Sequence, residues 1–226
     1  MLSEMDAAGV DAAFACSIGG IGGNSFIFES ARKYPKRFIP MTMFDPRYED
    51  RGLQEVEGYL RDHGGKVVKV GHQHANARYM YPMMELAQEY GAAVQIHSDH
   101  SIRNHPYIIG EISYSFPEVP MLIEHMGGGT SFDTELLSTK VAQRNPKVYL
   151  CTSFTNPYNV KMAIETVGPE RVMFASDYMG RYAEVFKEPG GHIDLMLDTI
   201  RVLDLPKNQE EMILGGNAAK LVGFEQ

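Results

Sequence analysis

Three apolar runs of this 226-residue chain end in a side chain that can bind a metal or move a proton. They are Ala92-Ala93-Val94-Gln95-Ile96-His97, Pro120-Met121-Leu122-Ile123-Glu124-His125 and Arg171-Val172-Met173-Phe174-Ala175-Ser176-Asp177-Tyr178. A carboxylate where a buried strand surfaces is costly to desolvate unless a cation, a metal or hydrogen bonds meet it, so Asp177 needs a partner. Any one of the three residues alone would be read as capping a loop or a backbone carbonyl. Together, His97, His125 and Asp177 point to a divalent ion. Zinc is the first choice, and manganese, iron and cobalt suit the same donors. A catalytic site of this kind leaves one coordination position open for water or substrate.

Other candidates stand nearby. His72-Gln73-His74 follows an apolar run, and alternate residues of an extended segment point the same way. The pair therefore reads as a substrate-facing loop or plain surface, with replacement metal ligands as the alternative. His100 and His105 lie downstream of His97 and are either substrate contacts or exposed histidines. Arg181, four residues past Asp177, offers a bidentate fork for a substrate carboxylate, against the bland reading of an exposed loop arginine. His63 and His192 read as helix-end or loop residues. The glycine loop Gly19-Gly20-Ile21-Gly22-Gly23 has neither the P-loop order nor the dinucleotide fingerprint, and reads as a mobile loop first and a ligand-contacting loop second.

The elements that must position these groups alternate along the whole chain. Continuous apolar runs predict buried strands over 10–18, 38–44, 66–70, 92–97, 120–125, 147–154 and 171–178. Helical spacing predicts helices over 2–8, 24–34, 53–63, 83–90, 104–116, 133–143, 157–167, 193–203 and 210–222. Gly9 is expected to stop the first helix, and Asn24 to cap the second. Seven strands alternating with helices imply one domain over residues 1–226, with a parallel sheet as either an open doubly wound sheet or a (β/α)8 barrel. A barrel would be one strand short, the missing strand being the one before Met1.

Composition excludes some classes. With 29 acidic and 21 basic residues the formal charge is −8, which argues against nucleic acid or an anionic membrane as the main partner. No stretch approaches the roughly 20 apolar residues of a membrane helix, and the N-terminus lacks the features of a signal peptide. Cys16 and Cys151 sit in apolar runs and read as small core residues of a reduced, cytoplasmic protein.

Lys69 in "VKV", His97 in "VQIHS", His125 in "LIEHMGG", Asp177 in "RVMFASDY" and the terminal "ILGGNAAKLVGF" resemble the amidohydrolase superfamily, in the branch of aminocarboxymuconate-semialdehyde decarboxylase-like enzymes. The resemblance implies a TIM-type (β/α)8 barrel with its first strand missing or replaced. It makes His97 and Asp177 metal ligands and His125 an acid/base or metal-assisting histidine, and it gives Asp177 the further role of base. It implies a metal-dependent hydrolase using metal-activated water on a small, carboxylated substrate, with non-oxidative decarboxylation and a metal-poor, non-catalytic barrel as alternatives. The His-x-His pair that the family carries on its first strand has no counterpart at this N-terminus. Lys69 is expected to be carbamylated or, more simply, to pair with Asp177. Unpaired sheet edges left by the missing strand predict a homo-oligomer.

Overall fold

The computed structural model describes residues 1–17, 23–71, 78–128, 132–178 and 191–224. Among the described residues there are seven strands: β1 (Ala13–Ala15), β2 (Phe38–Phe44), β3 (Val67–Val70), β4 (Ala93–Ile96), β5 (Met121–Ile123), β6 (Val148–Cys151) and β7 (Val172–Met173). Each pairs in parallel with the next, giving one curled sheet in chain order, a partial (β/α) barrel of the TIM type. The helices are α1 (Leu2–Ala8), α2 (Gly23–Lys33), α3 (Glu49–His63), α4 (Met80–Glu89), α5 (Pro106–Ser115), α6 (Phe132–Arg144), α7 (Pro157–Val167), α8 (Gly191–Arg201), α9 (Lys207–Glu211) and α10 (Asn217–Val222).

β2 fills its run 38–44, whereas the other strands are shorter than the apolar runs that announce them. The run at 171–178 forms only the two-residue β7, and the run at 120–125 leaves the sheet at Ile123, because Glu124–Gly127 closes into a 3-10 turn. The helix expected over 210–222 is interrupted by a π turn at Met212–Gly216. Gly9 ends α1 in the left-handed conformation, as expected. Asn24 does not cap α2, which begins at Gly23. Its buried amide instead donates to the Met43 carbonyl and to Glu55, and its oxygen accepts from the Met43 N–H.

Period-two alternation gives the sheet two buried faces. Val68, Val70, Val94, Ile96, Met121, Ile123, Val148, Leu150 and Val172 belong to the large cluster shared with the helices. The intervening residues, Met41, Val67, Ala93, Leu122, Cys151 and Met173, form a separate apolar cluster on the inner face. Ala218, Leu221 and Val222 of α10 pack on that inner cluster. Asn217 ties α10 to β7 through bonds from Nδ2 to the carbonyls of Pro169 and Val172, both 2.8 Å.

At the other end of the sheet, Met5 of α1 is buried with Ala31 and Phe38, and Leu2, Ala13 and Ala15 pack against them. The same helix touches α8, and its half-buried Glu4 bonds the side chain of Tyr178 just beyond β7. Helix α1 therefore reaches from β1 to the segment after β7. Among the described residues no helix is long and apolar enough to cross a membrane.

Candidate metal centre

The inner face becomes polar toward the C-terminal ends of the strands. One step beyond the apolar layer, Lys69 of β3 and Gln95 of β4 stand side by side in register, and Glu124 follows Leu122 with the same alternation. Lys69, Gln95, His97, Glu124 and His125 are all between 6% and 8% exposed, so every charge among them is desolvated and needs a partner. Lys69 does not pair with Asp177. Its Nζ donates to Glu124 Oε2, because β3 and β5 flank β4 and bring the two long side chains together over the shorter apolar layer.

Glu124 was not among the residues singled out from the sequence, yet it is the hub. Its Oε2 lies 3.2 Å from His97 Nδ1 and 3.7 Å from His125 Nε2. Adjacent residues of a strand point to opposite faces, so Glu124 and His125 could not both face inward if β5 continued. The backbone supplies the solution: His125 and Met126 adopt left-handed conformations at φ 57° and 48°. Non-glycine residues hold that conformation at a cost and only when their surroundings enforce it. Here Ser98 enforces it, donating from Oγ to the Glu124 carbonyl and accepting the Gly127 N–H at 2.8 Å. Gly127, at φ 111°, packs so closely on α6 that a Cβ would collide with the Thr134 carbonyl.

His97 and His125 stack edge to face with ring centroids 4.9 Å apart, and Phe154 tilts over His125 at 5.7 Å. Asp177, also left-handed at φ 48°, brings Oδ2 to 3.9 Å from His125 Nε2. Its side chain keeps 30% of its exposure, so the centre opens to solvent on that side. Burial alone would raise the Glu124 carboxyl, but the Lys69 ammonium and the His97 and His125 rings outweigh it and hold the group below the usual carboxylate range. Burial pushes His125 down to about 4, so its imidazole is neutral at neutral pH and able to act as a metal ligand. Burial first, opposed by the Lys69 charge and aided by those of Glu124 and Asp177, raises the Cys16 thiol to about 11. Cys16 thus feels the same centre from just beyond β1, and both it and Cys151 are free thiols.

A donor atom from each of His97, Glu124 and His125 lies within 4.8 Å of the other two. Around an ion with bonds of about 2.1 Å, neighbouring donors stand about 3.0–3.4 Å apart, so small side-chain shifts would bring these groups into coordination. Two imidazoles and a carboxylate, with Asp177 beside them, fit a divalent ion. Of the other candidates, His100 is exposed. His105 accepts the Tyr107 N–H as the N-cap of α5, and His63 stacks on Tyr59 at 5.1 Å. His72, His74 and Arg181 lie outside the described residues.

A family model described as amidohydrolase matches residues 5–224. The chain belongs to the amidohydrolase family. Solved structures with the same fold include 2,6-dihydroxybenzoate decarboxylase from Rhizobium, 14% identical, covering 100% of this chain and 88% of that one with a TM-score of 0.75. The 5-carboxyvanillate decarboxylase of Novosphingobium aromaticivorans, complexed with manganese, is 17% identical over 98% of this chain and 79% of its own, with a TM-score of 0.72. The 4-oxalomesaconate hydratase of Rhodopseudomonas palustris is 18% identical over 99% and 79% of the two chains, with a TM-score of 0.73. In this amidohydrolase, Glu124 places a carboxylate in the centre beside His97 and His125.

Proposed function

We propose that this amidohydrolase is a divalent-metal enzyme acting on a small carboxylated substrate, with non-oxidative decarboxylation placed ahead of hydrolysis. The observation that carries the reading is the convergence of His97, Glu124 and His125, with Asp177 alongside at the solvent-facing rim. Decarboxylases acting on aromatic acids among the structures of the same fold favour the first reaction. The family's general chemistry keeps hydrolysis as the second reading.

His97, Glu124 and His125 would hold the ion, zinc or manganese, with Asp177 completing the set. When bound, the ion supplies positive charge that neutralises substrate oxygens and polarises water. The remaining work falls to the side chains. In decarboxylation the bond to the carboxyl carbon breaks, CO2 leaves, and the electron pair left on the substrate carbon must receive a proton. Asp177 is at once solvent-accessible and within reach of His125, so it can take a proton from water and deliver it. In hydrolysis the same carboxylate accepts the proton of the attacking water. Arg181 is proposed to grip the substrate carboxylate, and His100 to stand at the outer edge of the pocket. The flanks of β1 and β7 that are unpaired among the described residues are proposed to be covered in a homo-oligomer, which sedimentation of a concentration-independent monomer would contradict.

The test is CO2 release from 2,6-dihydroxybenzoate and from 5-carboxyvanillate after incubation with MnCl2. Turnover that disappears in Asp177→Asn supports the reading. Inertness toward both acids, with metal-dependent cleavage of an ester or amide panel, would move the assignment to hydrolysis.

A further inference from the structure

Glu124 Oε2 is claimed twice. It is the oxygen that faces both His97 and His125, and it is also the oxygen that accepts from the Lys69 ammonium. A divalent ion shared with the two imidazoles and a lysine ammonium cannot sit on one oxygen together, because like charges at such range in a buried site repel strongly. A second observation shows where the ammonium could go. Gln95 is the register partner of Lys69 on the neighbouring strand, is 7% exposed, and its Oε1 has no hydrogen-bond partner among the described residues. Buried amide oxygens are ordinarily satisfied, so this one is an acceptor in waiting. The Gln95 Nε2 already points at Glu124 Oε1, at 3.5 Å, which holds the amide in the right place.

We propose that Lys69 is a built-in cation with two positions, holding Glu124 in the metal-free site and moving to Gln95 Oε1 when a divalent ion takes Glu124. The flexible four-carbon stem of lysine and its three donors suit the exchange, whereas the metal-free chain avoids leaving Glu124 as a buried, unpaired charge. Lys69 thereby sets how tightly the site binds metal: the ion sees only the fraction of molecules in which Glu124 has been released.

The inference rests on the proposed metal reading of the three donors, and the experiment separates the two. MnCl2 is titrated calorimetrically into the wild type, Lys69→Met, Gln95→Met and the double variant. Removing the competing cation should tighten Mn2+ binding by about tenfold in Lys69→Met, since apparent affinity scales with the competent fraction. Gln95→Met should weaken binding in the wild-type background and leave it unchanged in Lys69→Met, a non-additivity that independent sites would not show. Lys69→Met should also melt lower than the wild type without metal and recover more on adding Mn2+. If Lys69→Met fails to fold, the weakening in Gln95→Met carries the test alone. Equal affinity in the wild type and both single variants, or weaker binding in Lys69→Met, overturns the exchange while leaving the metal site standing. Absence of Mn2+ binding in every folded variant removes the metal site and the exchange together.

Discussion

The Ser153 hydroxyl lies 2.8 Å from Nδ1 of His125, and the Ser153 carbonyl lies 3.3 Å from the same nitrogen. A carbonyl only accepts, so when Nε2 is taken by a metal the proton stays on Nδ1, where the Ser153 carbonyl can accept it. Outer partners of this kind fix the tautomer and aim of a ligating imidazole. Ser153→Ala removes the hydroxyl and keeps the carbonyl. Its Mn2+ affinity, measured calorimetrically, should fall by about tenfold with the fold intact.

Gly127 holds the turn that swings His125 inward. A methyl group there meets the Thr134 carbonyl and lies 2.8 Å from Ser138 Oγ, at a backbone angle that side chains avoid. Gly127→Ala should lower unfolding stability by more than about 3 kcal/mol in urea denaturation. A loss under about 1 kcal/mol would show that the turn relaxes freely.

Asn217 connects the C-terminal helix to the strand that leads to Asp177. Asn217→Ala removes the donor to the buried Val172 carbonyl, while the Pro169 carbonyl keeps the Val172 N–H. A loss of about 2 kcal/mol is expected, read as a lower urea midpoint with an unchanged slope.

Glu135 of α6 is 1% exposed, and neither carboxylate oxygen has a hydrogen-bond partner among the described residues. Burial raises its carboxyl from 4.5 to about 7. The folded chain therefore keeps a proton that the unfolded chain has released. This group costs nothing below the unfolded value, and its cost grows as pH rises from about 4.5 to about 7 and stays constant above. Glu135→Gln should gain on the order of 2 kcal/mol at pH 8 and nothing at pH 4, by denaturation at the two pH values. An equal effect at both would contradict the buried-carboxylate account.

Much of the fold could be read from the chain because each buried strand is a continuous apolar run followed by a helix-length periodic segment. All seven strands appear, in chain order, within the runs that announce them. The C-terminal ends of β2 and β3 fall where the runs end, but those of β1, β5, β6 and β7 do not. Whether a run such as 171–178 stays in the sheet depends on pairing with a neighbour, which local hydrophobicity does not encode. His97 and His125 come together at the centre, with Asp177 beside them, because each follows a buried strand. Glu124 was hidden by its histidine neighbour, although a signal was present: counting by twos along β5, Leu122 and then Glu124 fall on the same face as Val67 and Lys69. For the same reason Lys69 pairs with Glu124 and not with Asp177. The left-handed turn that lets Glu124 and His125 face one point had only the glycines of "HMGGG" as a trace.

The proposed divalent-metal site of His97, Glu124 and His125 stands without a His-x-His strand among the described residues. Metal content of the purified protein after MnCl2 loading and desalting tests it most directly. About one ion per chain is predicted for the wild type, with loss in both His97→Ala and Glu124→Gln. A folded wild-type protein that retains no metal, or a Glu124→Gln variant that retains it undiminished, would contradict the account.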